Sequence, residues 1–139
     1  MQLTRGTEYA IMGLSYLAMR NGEPVLLSTI ADAIGAPANY LSQVFQSLTR
    51  VGLVNSHRGA RRGYTLARPA TEINLRHIIE GFEGPIVLAS TGSDRKWCGD
   101  NGACSFYERL ERIQVTIARE LEEASLARLV RTCHGAECA

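Results

Sequence analysis

Residues 27–66 read LSTIADAIGAPANYLSQVFQSLTRVGLVNSHRGARRGYTL, and this stretch decides the fold. Leu27 to Gly35 has the make-up of a short helix, with Ser28 as its cap, Ile30, Ala33 and Ile34 as its apolar stripe and Gly35 as its stop. A second helix is expected from Ala38 to Val51, where Leu41, Val44, Phe45 and Leu48 recur on one helical face and Gly52 ends the run. Two helices joined by so short a glycine-containing turn make a helix-turn-helix pattern. Leu53-Val54-Asn55-Ser56 and Tyr64-Thr65-Leu66 then read as two short strands around His57-Arg58-Gly59-Ala60-Arg61-Arg62-Gly63, a glycine-flanked turn with three arginines. A hairpin after the second helix is the wing of a winged helix, and its guanidinium groups suit phosphates or a narrow minor groove.

On the second helix the first turn carries Asn39, Tyr40, Ser42 and Gln43 opposite the apolar stripe. Asn and Gln can bind adenine bidentately, Ser can meet base or phosphate, and Tyr commonly takes phosphate. These four residues, with Arg58, Arg61 and Arg62 of the wing, are the expected contacts to double-stranded DNA.

Working outward, Tyr9, Met12, Leu14, Tyr16, Leu17 and Met19 mark a mostly buried first helix with Thr4 as its cap and Asn21-Gly22 as its stop. A helix from about Asn74 to Phe82 sets Leu75, Ile78, Ile79 and Phe82 against Arg76, His77 and Glu80. The stretch from Ile86 to Ala103 has no period and is rich in Gly, Ser and Asp, which reads as a long loop of functional kind. From Ser105 to Glu123, Phe106, Leu110, Ile113, Ile117 and Leu121 form a narrow stripe, with Glu108 and Arg112, and Arg119 and Glu123, as i,i+4 charge pairs. Such a helix beyond a DNA-binding head pairs with its twin, as a two-fold operator requires. A short apolar segment, Leu126 to Val130, precedes a cysteine-bearing tail. The expected organisation is a winged helix-turn-helix over 1–72, a connecting helix and cysteine-bearing loop over 73–104, a dimerisation helix and short terminal helix over 105–131 and a tail over 132–139. The fold class is mostly α with a small β-hairpin wing.

The chain is 139 residues long, 45% hydrophobic and 21% charged, enough for one core and ordinary for a globular protein. No apolar run is long enough to span a bilayer and no signal-peptide pattern opens the chain, so the cytoplasm is the expected compartment, with no membrane partner. The net charge of +1 conceals a segregation. Between Asp32 and Glu72 there is no acid, while Arg50, Arg58, Arg61, Arg62 and Arg68 all fall there; the balancing acids lie mostly downstream. Sulfur is segregated too: Cys98, Cys104, Cys133 and Cys138 all lie in the last third. In a reducing compartment, four cysteines point to metal ligands or redox thiols rather than structural disulfides.

Leu3-Thr4-Arg5-Gly6-Thr7-Glu8-Tyr9-Ala10, Tyr40-Leu41-Ser42-Gln43-Val44-Phe45, the wing from Arg58-Gly59 to Gly63-Tyr64-Thr65-Leu66 and the cysteines before the long helix together resemble the IscR/NsrR family. The resemblance runs to about Val130. It implies a dimeric winged-helix bacterial transcription regulator, of a kind that in many members holds an iron-sulfur cluster in the loop before the dimer helix. The family's wing usually has a Gly-Gly pair where this chain has Arg62-Gly63.

Cys98 and Cys104 have Gly99 and Gly102 between them, and thiolates are soft ligands suited to iron-sulfur clusters or zinc. Their spacing is not the tight two-residue gap of common structural zinc sites. Cluster-binding relatives usually have a third cysteine six or seven residues before the first of this pair, where this chain has Thr91 and Gly92. The resemblance offers Glu8, from the first helix of the opposite subunit, as a completing ligand. Relatives that use two cysteines, a Glu and a His place the His where this chain has Met12. Cys133 and Cys138, with His134 between them, are a second source of ligands or a disulfide pair. The expected cofactor is therefore an iron-sulfur cluster on Cys98, Cys104 and Glu8, of two-iron or four-iron form. The alternatives are a metal-free thiol/disulfide sensor, zinc, and a regulator controlled by a partner protein. Cys133-His134 is the sole adjacent Cys/His, with no orienting third group, so no enzyme and no small-molecule substrate are expected.

Overall fold

Thr4 begins the ordered architecture: its extended backbone and a side-chain oxygen that accepts the Thr7 N–H start a helix at Arg5. The computed structural model describes residues 2–88 and 105–134, as α1 (Arg5–Ala18), α2 (Leu27–Ile34), α3 (Ala38–Arg50), β1 (Val54–His57), β2 (Gly63–Leu66), α4 (Leu75–Glu83), α5 (Ser105–Glu123) and α6 (Leu126–His134). This is a mostly helical winged helix-turn-helix with a two-stranded antiparallel wing and a long helix beyond it.

One core joins α1, α2, α3, the wing root, α4 and α6. From α1 it takes Ala10, Leu14 and Leu17; from α3 it takes Leu41, Val44, Phe45 and Leu48, each a side chain whose burial contributes roughly 1.5–3 kcal/mol for the larger ones. The buried side of α1 differs from the expected one. Met12 and Met19 are exposed, and the inner line is Gly6, Ala10, Gly13, Leu14 and Leu17. Small residues let α3 come close: a Cβ on Gly13 would stand 2.8 Å from the Phe45 ring. That ring also packs against Tyr64 of β2, edge-on with centroids 4.8 Å apart.

The start of α2 also departs from expectation. Ser28 lies inside the helix; Leu26 is at the N-cap and makes no side-chain cap. Tertiary pairing explains this, because Val25 exchanges backbone hydrogen bonds with Tyr64 at 3.0 and 2.8 Å. That bridge holds the chain extended until Leu26, and the helix starts as soon as it is released. Gly35, in the left-handed region at φ 68°, ends α2 as expected.

The wing strands pair Val54 with Leu66, Asn55 with Thr65, Ser56 with Tyr64 and His57 with Gly63. Leu53 enters the core rather than the strand, and its carbonyl takes the Ala67 N–H.

After α5 the chain returns to the segment that precedes α4. Leu126 donates to the Ile73 carbonyl at 2.7 Å, Leu75 to that of Ala124 at 3.0 Å, and Leu126 is buried in the common core. Arg76 of α4 ties in α5 by bonding Glu80 and Glu122. Helix α6 continues to His134, past the apolar segment that marked it in the sequence. Among the described residues neither expected i,i+4 pair is seen on α5, and Arg119 stands 4.0 Å from Glu120 instead. Among the described residues no helix is long and apolar enough to cross a membrane.

Candidate nucleic-acid interface

Helix α3 presents its polar side because Leu41, Val44, Phe45 and Leu48 bind the opposite side to the core. Asn39, Tyr40 and Gln43 are exposed and Ser42 is half-buried. The helix starts after Pro37 with no side-chain cap, so its first-turn amides have no side-chain acceptor and face outward with the helix dipole. Gln46 and Arg50 are exposed too, and at seven and eleven residues beyond Asn39 they extend its line along the helix. A reading confined to the first turn misses them, although the same period was available to find them.

Beside α3 the wing turn, 58–62, is exposed throughout. Among the described residues no carboxylate pairs with Arg50, Arg58, Arg61 or Arg62, so these charges face solvent uncompensated. Gly59 takes φ 90° in open space, as the turn requires. Gly63 has a different reason to be glycine. At φ 139°, a Cβ there would lie 2.6 Å from the carbonyl carbon and oxygen of Val25. Of the Arg62-Gly63 pair, the glycine is thus the residue that packing demands, while Arg62 stands free to carry charge. His57 Nε2 is 2.7 Å from Thr65 Oγ1, a link across the wing stem.

The model of the Rrf2 family, described as iron-dependent transcriptional regulator, matches residues 3–132. The chain belongs to the Rrf2 family. Its members are transcription regulators and not enzymes. Solved structures agree with this. CymR of B. subtilis, the global cysteine regulator, is 27% identical with a TM-score of 0.79, over 95% of this chain and 98% of that one. IscR of T. potens is 28% identical at TM-score 0.74, covering 100% of this chain and 93% of its own. The oxidized form of Staphylococcus aureus CymR is 26% identical at TM-score 0.72, over 94% and 96% of the two chains. The Rrf2 assignment makes DNA-binding transcription regulation the role of the chain.

The remaining expected site residues of this Rrf2 chain fall into two groups. Glu8 lies in the first turn of α1, half-exposed, with Arg5 3.1 Å away as its partner. Cys98, Cys104 and Cys138 lie outside the described residues, and Cys133 falls on α6. Among the described residues no group of three His, Cys, Asp or Glu is placed to hold a metal ion.

Of the stripe on α5, Ile117 and Leu121 face their own chain and line an apolar groove of about 370 Å³ with Leu3, Ile79, Ile86 and Val87. Phe106 and Ile113 are 53% and 42% exposed, and no residue of this 19-residue helix is buried. Leu110 is half-buried.

One polar junction was not legible in the sequence. Glu83, the last residue of α4, accepts the Thr4 backbone N–H at 2.7 Å and the Thr7 hydroxyl at 2.8 Å. These bonds, the Thr4 N–H first, hold its carboxyl below the ordinary carboxylate value. Thr7 is completely buried, and the bond satisfies its hydroxyl. Partners almost eighty positions apart leave no local signal.

Proposed function

We propose that the chain acts in the cytoplasm as a homodimeric repressor. It would grip a two-fold operator with Asn39, Ser42 and Gln43 of α3 and with Arg58, Arg61 and Arg62 of the wing. It would answer redox state, nitric oxide or iron through an iron-sulfur cluster held by Cys98 and Cys104 with Glu8 of the partner subunit. The observation that carries the DNA reading is the exposed arginine turn, without an ion pair among the described residues, together with an uncapped N-terminus on α3. Among the described residues these cations have no ion pair to break before they meet DNA, and each phosphate they neutralise releases counterions.

The dimer reading rests on α5. A helix about 28 Å long with an apolar stripe and no buried residue has not found its full packing within one chain. A second copy would cover Phe106, Leu110 and Ile113 and set two α3 helices for two half-sites. The donor chemistry fits a cluster: two soft thiolates, and a half-exposed Glu8 carboxylate on α1 whose ion-pair partner among the described residues is the exposed Arg5. When bound, such a cluster supplies iron-ligand bonds that oxidation, nitrosylation or iron loss breaks.

Replacing Arg58, Arg61 and Arg62 together with Ala should weaken operator binding and flatten the dependence of log affinity on log salt by about 0.9 for each phosphate no longer neutralised. An unchanged slope and affinity would remove the wing from the interface. Protein purified without oxygen should be brown, and the colour should vanish in the Cys98→Ala, Cys104→Ala double variant. A colourless, iron-free protein that still binds its operator would exclude the cluster. A metal-free thiol switch is the second reading, favoured by the missing third cysteine before Cys98 and by the oxidized form of the S. aureus relative. Iron-free protein whose operator affinity responds to a thiol oxidant would select it.

A further inference from the structure

Tyr40 occupies a different place from the other polar residues of the α3 first turn. Its ring stands edge-on to Tyr9 of α1, with centroids 5.8 Å apart, and its hydroxyl lies over Gly6, where a Cβ would be only 3.1 Å away. The Arg5 guanidinium sits 5.5 Å from the Tyr9 ring centre on the same turn of α1, and Arg5 also holds Glu8. That turn is itself pinned from outside the DNA-binding head, because Glu83 of α4 takes the Thr4 N–H and the Thr7 hydroxyl. Glu83 is followed by Gly84-Pro85, where the chain leaves α4 in the direction of the cysteine-bearing segment. A continuous set of contacts thus runs from the end of α4, through the start of α1, to the start of α3.

We propose that Tyr40 is a positioning residue for operator recognition: seated on Gly6 and Tyr9, it transmits the placement of the α1 N-terminus, which Glu83 fixes at Thr4 and Thr7, to the first turn of the recognition helix. The inference rests on the DNA-binding reading above and deepens it, by naming the contact that sets the first turn of the recognition helix. The physical basis is three joints that link α4, α1 and α3. Two are hydrogen bonds to one carboxylate, a class roughly twice as strong as neutral pairs. The third is an aromatic seat on a residue with no side chain, where an added Cβ 3.1 Å from the Tyr40 hydroxyl asks the tyrosine tip to give by a few tenths of an ångström.

The distances provide the experiment. With the operator selected from random duplexes by the full-length wild-type protein, affinity is measured for that operator and for a non-operator duplex. Gly6→Ala should push the Tyr40 hydroxyl aside and lower operator affinity about tenfold, the size of one misread base pair, with binding to non-operator DNA within about twofold because the wing arginines supply it. Without the hydroxyl the nearest ring atom, Cζ, would lie 3.9 Å from the new Cβ, an ordinary contact. The Gly6→Ala, Tyr40→Phe double variant should therefore regain the operator preference of Tyr40→Phe. Glu83→Ala should lose the preference, and Glu83→Gln, whose amide oxygen can accept the same two bonds, should keep it.

A double variant no better than Gly6→Ala alone, or a Tyr40→Phe variant that loses operator and non-operator binding equally, would overturn the proposal and make Tyr40 a phosphate contact. Should Glu83→Ala fail to fold, the Gly6 and Tyr40 comparison decides alone. Failure of the underlying reading looks different: the wild-type protein would then select no operator, or the triple arginine variant would bind as well as wild type.

Discussion

Replacing Gly63 with Ala tests whether the wing is anchored by a close backbone approach. Two costs follow from the geometry. The residue sits at φ 139°, outside the regions that L side chains favour, which costs on the order of 1–3 kcal/mol. The added Cβ would also come within 2.6 Å of the Val25 carbonyl carbon and oxygen and 2.9 Å of its nitrogen. Backbone atoms cannot rotate away as a side-chain tip can. Relief requires Val25 and Tyr64 to separate, breaking bonds of 3.0 and 2.8 Å, each worth about 1 kcal/mol net. The sum is roughly 3–5 kcal/mol. For a domain of this size that lowers the melting temperature by roughly 10 °C or more.

Gly59→Ala is the internal control, because Gly59 shares a positive φ of 90° but has nothing within 4 Å of its Cβ position. It should cost only the backbone strain, about 1–3 kcal/mol. The assay is thermal and denaturant unfolding at one protein concentration, since stability is tied to concentration wherever copies associate. A Gly63→Ala variant within about 1 kcal/mol of Gly59→Ala, close to the error of extrapolated stabilities, would refute the packing argument. So would one that unfolds like wild type.

Two further outcomes are expected. Gly13→Ala gains about 1 kcal/mol of helix propensity but forces a methyl to 2.8 Å from a Phe45 ring that is also packed edge-on against Tyr64. Overpacking of roughly 1–3 kcal/mol should win, leaving a net loss readable by denaturant unfolding; a stabilised variant would show that α1 and α3 can part. The second concerns acid. Glu83 has its carboxyl pKa lowered from the ordinary 4.5, so its bonds to Thr4 and Thr7 add stability in full above that value and lose it as pH falls through the lower, folded one. Unfolding measured through the acid range should show that loss in wild type and a weaker one in Glu83→Gln. Identical acid profiles would count against the Glu83 junction.

Much of the wing and of the helix pair was legible because its signals are local. Apolar spacing placed α3 within a residue, Gly35 ended α2, and the arginine turn between two short strands marked the hairpin. The misses share a cause. Ser28 had the chemistry of a cap, yet the Val25–Tyr64 pairing set where α2 begins. Met12 and Met19 had the hydrophobicity of core residues, yet the close crossing of α1 and α3 selected the glycine and alanine side of the helix.

By itself, then, the sequence determined the helical periods, the wing, the concentration of cations on one stretch and the clustering of thiols in the last third. Those properties belong to residue type and spacing, which no packing can alter. The tertiary structure decided which side of α1 is inward, why Gly63 must lack a side chain, and that Glu83 reaches back across the whole head to hold Thr4 and Thr7. Those are contacts between residues distant along the chain, and their energies exist only once the helices have come together.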